Sequence, residues 1–233
     1  MTWNIRGLGK REKISIVRSL VSKHKPTLLF IQETKLSSFD CGLINSLEGY
    51  VLTRGVGVNA IGSARGLLSL WNEYLFLVKA CIPNQRCIIL AGELLKIRMD
   101  VAFCNVYVAN VESERKELWE FISTSQNAFL MRWCIGGNFN TVLDPSERRG
   151  GESAMVSIKN FSSFVSKAKV VDIPLRGIYF TWTTYRERES RVRLDRFLIS
   201  PLILSQLLNL FQIGLSGTLS SLNVMLIGEK KED

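Results

Sequence analysis

The 233-residue chain has little that could hold a zinc ion. It contains a single histidine, His24, and five cysteines, none spaced as C-x-x-C or matched with a histidine. We therefore expect reduced, buried thiols in an intracellular protein, nuclear or cytoplasmic, and no zinc site. A signal peptide is also absent from the opening "MTWN", and the most apolar stretch, 197–215, is interrupted by Ser, Pro, Asn and Gln. No membrane-spanning segment is predicted.

Acidic residues are fewer than basic ones. Thirty Lys and Arg against 21 Asp and Glu give a net charge of +9 and a pI near 9.5. This excess favours a polyanionic partner such as nucleic acid, although charge says nothing about the fold. The 46% hydrophobic and 22% charged content is typical of a globular protein. Because no linker, low-complexity tract or repeat is visible, we predict a single domain over residues 1–233.

Apolar periodicity predicts alternating strands and helices. Helical spacing runs from Lys10 to His24, and "PTLLFIQET" then predicts a buried strand. Short apolar runs between Tyr50 and Tyr107 are typical of an antiparallel meander. Further helices are predicted over 112–130, 153–168 and 201–211, further strands over 131–137, 178–184, 191–199 and 223–228, and a helix start at Asp144. These elements predict an α/β fold in which two mixed sheets pack face to face, each covered outside by helices.

Polar side chains follow several of the predicted strands. They are Asn4 in "TWN", Glu33 in "FIQET", Tyr107 and Asn110 in "NVYVAN", and Asn138 and Asn140 in "GGNFN". Each residue alone is weak evidence for a functional site, since an asparagine after a strand is usually a turn former and a glutamate is usually solvated or caps a helix. Polar groups ending several buried strands tend to converge at one rim of a sheet, where α/β proteins place their sites. Their joint order therefore indicates a functional site.

These motifs, with "RLDRFLIS" around Asp195, resemble the endonuclease/exonuclease/phosphatase superfamily in order and spacing. Four segments are similar in sequence to the apurinic-type endonuclease domain of plant non-LTR (LINE-type) retrotransposons: "WNIRGLG", "KHKPTLLFIQETKL", "ERRGG" and "FTWTTYRERESRVRLDRFL". The resemblance covers Trp3 to Gly228. It implies a DNase I-like four-layer α/β sandwich and phosphodiester hydrolysis with Mg²⁺ or Mn²⁺. It also implies DNA as the partner of a monomer that needs no small organic cofactor.

The resemblance also implies a role for each matching residue. Glu33 and Asn4 match a carboxylate and an amide that hold the metal ion, which polarises the phosphate and steadies the leaving oxygen. Tyr107 and Asn140 match phosphate contacts. Asp195 matches an aspartate that orients a phosphate-contacting histidine.

Two positions depart from the family pattern. Where the family has G-D-F-N, this chain has Asn138, which can accept a hydrogen bond from water but cannot take up its proton. Where the family has S-D-H, the chain has Ser220, Ser221 and Leu222, so an aspartate near the metal and the histidine are both lost. His24 is expected at an exposed helix end and does not replace it. Since positioned acid–base groups contribute about 10²–10⁴ in rate, we predict little or no activity.

Without the histidine, Asp195 needs another partner or remains a solvated strand charge. Arg193 is expected on the same strand face, so we predict that it pairs with Asp195.

Clustered basic residues on loops beside the rim are predicted to contact phosphates. They are Arg6, Lys10, Arg11, Arg148, Arg149, Arg186 and Arg188. For the "RERES" segment a solvated hairpin tip is an equal alternative. Trp182 is predicted either to stack on a base or to belong to a core face.

Three functions stay open on this basis. The first is a metal-dependent DNA-nicking endonuclease, and the second is a defective relic that keeps nucleic-acid affinity. A small-molecule phosphatase of the same superfamily fits the basic loops less well.

Overall fold

The computed structural model describes residues 1–39, 41–48, 51–61, 65–151, 154–184, 189–215 and 223–230. The helices are α1 (Arg11–His24), α2 (Cys41–Glu48), α3 (Glu112–Ala128), α4 (Met155–Lys167) and α5 (Pro201–Leu204), and a 3₁₀ turn spans Pro145–Glu147. The strands are β1 (Thr2–Asn4), β2 (Leu28–Gln32), β3 (Arg54–Val58), β4 (Leu67–Trp71), β5 (Phe76–Asn84), β6 (Cys87–Leu94), β7 (Met99–Tyr107), β8 (Arg132–Asn138), β9 (Arg148–Arg149), β10 (Val171–Asp172), β11 (Leu175–Arg176), β12 (Trp182–Thr184), β13 (Ser190–Val192), β14 (Asp195–Ile199), β15 (Leu207–Leu215) and β16 (Asn223–Lys230).

These strands form two large mixed sheets and one small sheet. The first sheet has the order β11-β15-β16-β1-β2-β4-β3, with β1 and β2 parallel. The second has the order β10-β14-β8-β7-β6-β5, with β7 and β8 parallel. The small sheet, β12-β13-β9, is antiparallel throughout. The predicted α/β architecture of two mixed sheets flanked by helices is confirmed.

Strand alternation divides the core into layers. On β2, Leu28 and Phe30 belong to a cluster shared with the second sheet, whereas Leu29 and Ile31 pack in the cluster that contains α1. Successive side chains of a strand point to opposite faces, so one apolar run serves both layers. On the far side, Trp119 of α3 and Phe161 of α4 pack against the second sheet. The order of layers is therefore helices, first sheet, second sheet, helices.

Some element predictions were wrong in extent. The predicted helix over 201–211 ends at Leu204, because β15 begins at Leu207 and satisfies its backbone by pairing with β16. The predicted meander between Tyr50 and Tyr107 is divided, with β3 and β4 in the first sheet and β5, β6 and β7 antiparallel in the second. The strands predicted over 178–184 and 191–199 are shorter, since the chain leaves the small sheet after Val192 and enters the second at Asp195. Helix α2 was not predicted.

The cysteines are free where the structure describes them. Cys87, Cys104 and Cys134 are buried as predicted, whereas Cys81 is exposed because it lies on β5, the edge strand of the second sheet. Among the described residues, no helix combines the length and the apolarity needed to traverse a bilayer.

Candidate active site

The polar residues at the strand ends meet at one rim of the two sheets. In the second sheet, Tyr107 of β7 pairs with Asn138 of β8, and Asn138 pairs with Asp195 of β14. In the first sheet, Asn4 ends β1 beside Gln32, so that Glu33 follows directly after β2. The facing sheets thus bring these side chains into mutual contact.

A continuous chain of hydrogen bonds connects the residues at this rim. Asn4 Nδ2 donates to Glu33 Oε1 at 2.8 Å, and the Tyr107 side chain is hydrogen-bonded to those of Glu33 and Asn140. The Asn140 backbone N–H donates to Asn138 Oδ1 at 3.2 Å, and Asn138 Nδ2 donates to Asp195 Oδ1 at 2.9 Å. We call this set the amide cluster: Asn4, Glu33, Tyr107, Asn138, Asn140 and Asp195.

The backbone around the amide cluster requires unusual conformations. Glu33 and Asn140 have φ of 52° and 49°, in the left-handed region that costs a non-glycine residue about 1–3 kcal/mol unless its surroundings hold it. Gly137 has φ of 148°, and a Cβ built there would lie 2.1 Å from Val106 O. Glycine is therefore required for β8 to pair with β7 just before Asn138.

Asp195 and Asn138 form a buried pair. Each is 1% exposed, and burial raises the pKa of Asp195 to about 6, an effect opposed by hydrogen bonds to Thr181 and Asn138. Thr181 Oγ1 also accepts from the Asp195 backbone N–H at 3.0 Å. The predicted pairing of Asp195 with Arg193 is wrong. Arg193 precedes β14, where alternation does not apply, and instead donates to Glu147 at 3.0 Å and Asp172 at 2.9 Å.

Tyr107 stays protonated at neutral pH. Burial and then the charge of Glu33 raise its pKa to about 12. Its hydroxyl is therefore available as a donor in the cluster.

Basic side chains surround the first-sheet side of the amide cluster. Lys13 Nζ donates to the carbonyls of Ile5 at 2.6 Å and Arg6 at 2.9 Å, which fixes the loop after Asn4. Burial lowers the pKa of Lys13, and so do the charges of Lys10, Lys35 and Arg6, while Glu33 opposes them. The four cations form what we call the N-terminal basic group: Arg6, Lys10, Lys13 and Lys35.

Two further arginines share an acidic partner near the cluster: Arg86, in the β5–β6 turn beside Tyr107, and Arg65, just before β4 of the first sheet. The Arg86 carbonyl accepts from the Tyr107 N–H at 2.9 Å, and Glu114 forms ion pairs with both Arg86 and Arg65. The pKa of Arg86 is lowered by burial and then by the charge of Arg65. Sequence reasoning missed both arginines, because neither belongs to a basic cluster in the sequence.

Arg115 is a positioning residue that was also missed. Its buried guanidinium donates from Nε to Ala109 O at 2.7 Å and from Nη2 to Asn140 O at 3.1 Å. It thereby connects the loop after β7 with the loop after β8. A lone arginine in a charged helical segment gives no sequence signal for this role.

The geometry agrees with the comparisons with known proteins. The model of the Endonuclease/Exonuclease/phosphatase family matches residues 1–207. The chain belongs to this family. A search of curated proteins found no match.

Solved structures share the family fold over nearly the whole chain. The AP endonuclease LMAP from Leishmania major has a TM-score of 0.75 at 18% identity, covering 99% of this chain and 87% of that one. The endonuclease domain of TRAS1, a telomere-specific non-LTR retrotransposon, has 0.71 at 10% identity and covers 99% and 98%. The 3′ phosphatase NExo from Neisseria, bound to product DNA hairpin, has 0.69 at 17% identity and covers 98% of each chain. At these identities the likeness is one of fold.

Members of the family generally depend on a divalent metal ion, and the residues of this chain fit one poorly. Within the described residues, no three His, Cys, Asp or Glu side chains come together as a metal site. Glu33 supplies the carboxylate at the end of β2, and it already accepts from Asn4 and interacts with Tyr107. Binding of Mg²⁺ or Mn²⁺ by Glu33 and Asn4 stays a prediction, and no step below depends on it.

The residues predicted to bind nucleic acid are distributed around the cluster. Arg148 and Arg149 lie on β9 of the small sheet, and Lys10 is exposed where α1 begins. Trp182 is half-buried beside an apolar cluster with Val192, and the Arg6 guanidinium lies 5.4 Å from its ring centroid. The predicted contacts Arg186 and Arg188 and the lost positions Ser221 and Leu222 lie outside the described residues.

Proposed function

We propose that the chain is a catalytically impaired DNA-nicking endonuclease, which binds DNA at the amide cluster but hydrolyses phosphodiesters little or not at all. The observation that carries this proposal is the position of Asn138. It lies in the middle of the hydrogen-bonded cluster, where the family resemblance places an aspartate that orients or deprotonates the attacking water. An amide there can orient water but cannot remove its proton.

The hydrogen bonds of Asn138 strengthen this argument. Its nitrogen donates to Asp195 and its oxygen accepts from the Asn140 backbone, so both ends of the amide are engaged. The other carboxylates are poor substitutes: Asp195 is buried, and Glu33 is hydrogen-bonded by two neighbours. Loss of a positioned base costs about 10²–10⁴ in rate, which would leave activity near background.

Charge supports retention of DNA binding. The N-terminal basic group lies beside Asn4 and Glu33, Arg86 lies beside Tyr107, and the whole chain carries +9. Tyr107 and Asn140 remain at the centre as neutral phosphate contacts. Such an arrangement favours salt-sensitive, largely sequence-independent affinity.

An origin in a non-LTR retrotransposon is part of the proposal. The motifs "QET", "ERRGG" and "RLDRFL" support it, and so does the fold shared with the TRAS1 endonuclease domain. We also propose that the chain forms one domain, since apolar residues of both large sheets share one cluster. The plant LINE assignment, the monomeric state and the intracellular location remain predictions.

Nicking of a supercoiled plasmid in Mg²⁺ or Mn²⁺ tests the proposed loss of chemistry. We expect background nicking from the wild type and no further decrease in Glu33→Ala. Robust wild-type nicking that Glu33→Ala abolishes would contradict the proposal. Recovery of nicking when the family residues are restored with Asn138→Asp and Leu222→His would show that only chemistry was lost. Asn110→Asp, an exposed position near the same rim, is the control for added charge.

DNA binding is tested separately through its salt dependence. Replacing Arg149 with alanine should lower the slope of log K against log salt by about 1 if the side chain contacts a phosphate. Lys96→Ala is the matched control, because Lys96 lies in the β6–β7 turn at the opposite end of β7 from Tyr107. An affinity that hardly changes with salt would argue against phosphate contact.

A further inference from the structure

The charges in the amide cluster differ from those of a divalent-cation site. The six residues supply two carboxylates, three carboxamides and one phenol. One carboxylate, Asp195, is buried against Asn138, which leaves Glu33 as the acid on the side of the N-terminal basic group. Mg²⁺ needs oxygen ligands in near-octahedral geometry, usually with one or two carboxylates. The single available carboxylate is therefore the least that such an ion accepts.

That carboxylate already has hydrogen-bond donors. Asn4 turns its amide nitrogen to Glu33 at 2.8 Å, and the Tyr107 side chain is hydrogen-bonded to the same carboxylate. A cation at Glu33 would have to displace these donors, and the Asn4 amide would have to turn its oxygen inward. The cluster satisfies Glu33 without an ion.

The surrounding charges favour an anion. Four cations, those of the N-terminal basic group, lie on the side of Glu33, and Lys13 Nζ reaches the carbonyls of Ile5 at 2.6 Å and Arg6 at 2.9 Å, directly after Asn4. Arg65 and Arg86 add positive charge, partly balanced by Glu114. Such an excess of positive charge disfavours a divalent cation and favours a phosphate diester.

We propose that the amide cluster is a metal-independent phosphodiester site, in which the surrounding basic side chains neutralise the DNA phosphate that a divalent cation serves elsewhere in the family. This inference rests on the proposed function, because it requires that DNA reach the cluster. It goes further by stating that the site binds a DNA phosphate without a divalent cation.

The test compares DNA affinity with and without a divalent cation. Fluorescence anisotropy gives Kd for a labelled DNA duplex in EDTA and in MgCl₂ at matched ionic strength. Because Mg²⁺ also screens DNA phosphates, a metal-independent site should bind at least as tightly in EDTA. The double variant Lys10→Ala and Lys35→Ala should weaken binding about tenfold in both buffers, while Lys96→Ala should not. A tenfold or greater loss of wild-type affinity on chelation would overturn the inference.

A second measurement does not involve DNA. Calorimetric titration with MgCl₂ or MnCl₂ alone should show no saturable binding below about millimolar concentration. Saturable heat that disappears in Glu33→Gln would overturn the inference while leaving the proposed function intact. Failure to bind DNA in either buffer would instead refute the proposed function, so the two failures are distinguishable.

Discussion

Two neighbouring charged residues of β14 have different kinds of partner. Asp195 is paired with a neutral amide, that of Asn138, at 2.9 Å. Arg196, which is fully buried, is paired with Glu147 at 2.7 Å and Asp172 at 3.0 Å. Alternation along the strand sends the two side chains to different faces, so adjacent residues serve different purposes.

The second environment is a closed network of full charges. We call it the ion network, formed by Arg193, Arg196, Glu147 and Asp172. Two guanidinium groups share two carboxylates at 2.7–3.0 Å, so the formal charges cancel. It joins the 3₁₀ turn before β9 to β10 and β14, and thereby holds Arg148 and Arg149 beside the rim. The ion network is therefore structural, and its formal charges cancel among its own members. The amide cluster differs, because it combines neutral amides with charges that lie around it.

The largest effect is expected from opening the ion network. Arg196→Met should lower the free energy of unfolding by about 3–5 kcal/mol, because it removes a fully buried charged partner from two carboxylates that are only 14% and 18% exposed. Urea denaturation measures it. The control is Arg191→Met, whose ion pair with Glu189 is about half exposed and should contribute less than about 1 kcal/mol. Equal losses in the two variants would contradict the assigned role.

A smaller, pH-dependent effect is expected at Asp195. Its pKa in the folded protein is about 6, above the ordinary 3.8, so the folded state binds the proton more tightly than the unfolded state does. Stability from this group is present at low pH and is lost as pH rises through 6. The difference in unfolding free energy between wild type and Asp195→Asn should therefore shift by about 2 kcal/mol against the wild type from pH 4 to pH 7.

Urea denaturation of both proteins at the two pH values gives this difference, and the shared titrations of other groups cancel. A difference that does not change with pH would show that Asp195 titrates normally.

The smallest effect should come from the single change Asn138→Asp. It places a second carboxylate against Asp195 and removes the amide donor, so the pair should retain one proton. We expect a loss of about 1 kcal/mol at pH 7 that shrinks towards pH 4. A variant as stable as the wild type at pH 7 would break the contrast between the two environments.

The sequence was informative for polar residues that directly follow predicted strands. Asn4, Glu33, Tyr107 and Asn138 could be placed at one rim because each follows an apolar run, and parallel strands end together. The partner of Asp195 could not be deduced, since Arg193 lies between two strands of different sheets. Arg115 was equally hidden, because it acts through backbone carbonyls that only the folded chain brings together.

The helix predicted over 201–211 failed for a different reason. Residues 207–211 contain apolar side chains at nearly every position, and such a run suits a buried strand as well as a buried helix. Pairing with β16, the strand that follows in the chain, decides between them.

The close approach of Gly137 to Val106 has an evolutionary consequence. Because the main chain fixes where residue 138 begins, aspartate and asparagine would start from the same point and reach the same neighbours. An exchange of aspartate for asparagine at this position would therefore replace an oxygen atom with a nitrogen atom without moving the scaffold, and a single codon change would suffice to reverse it.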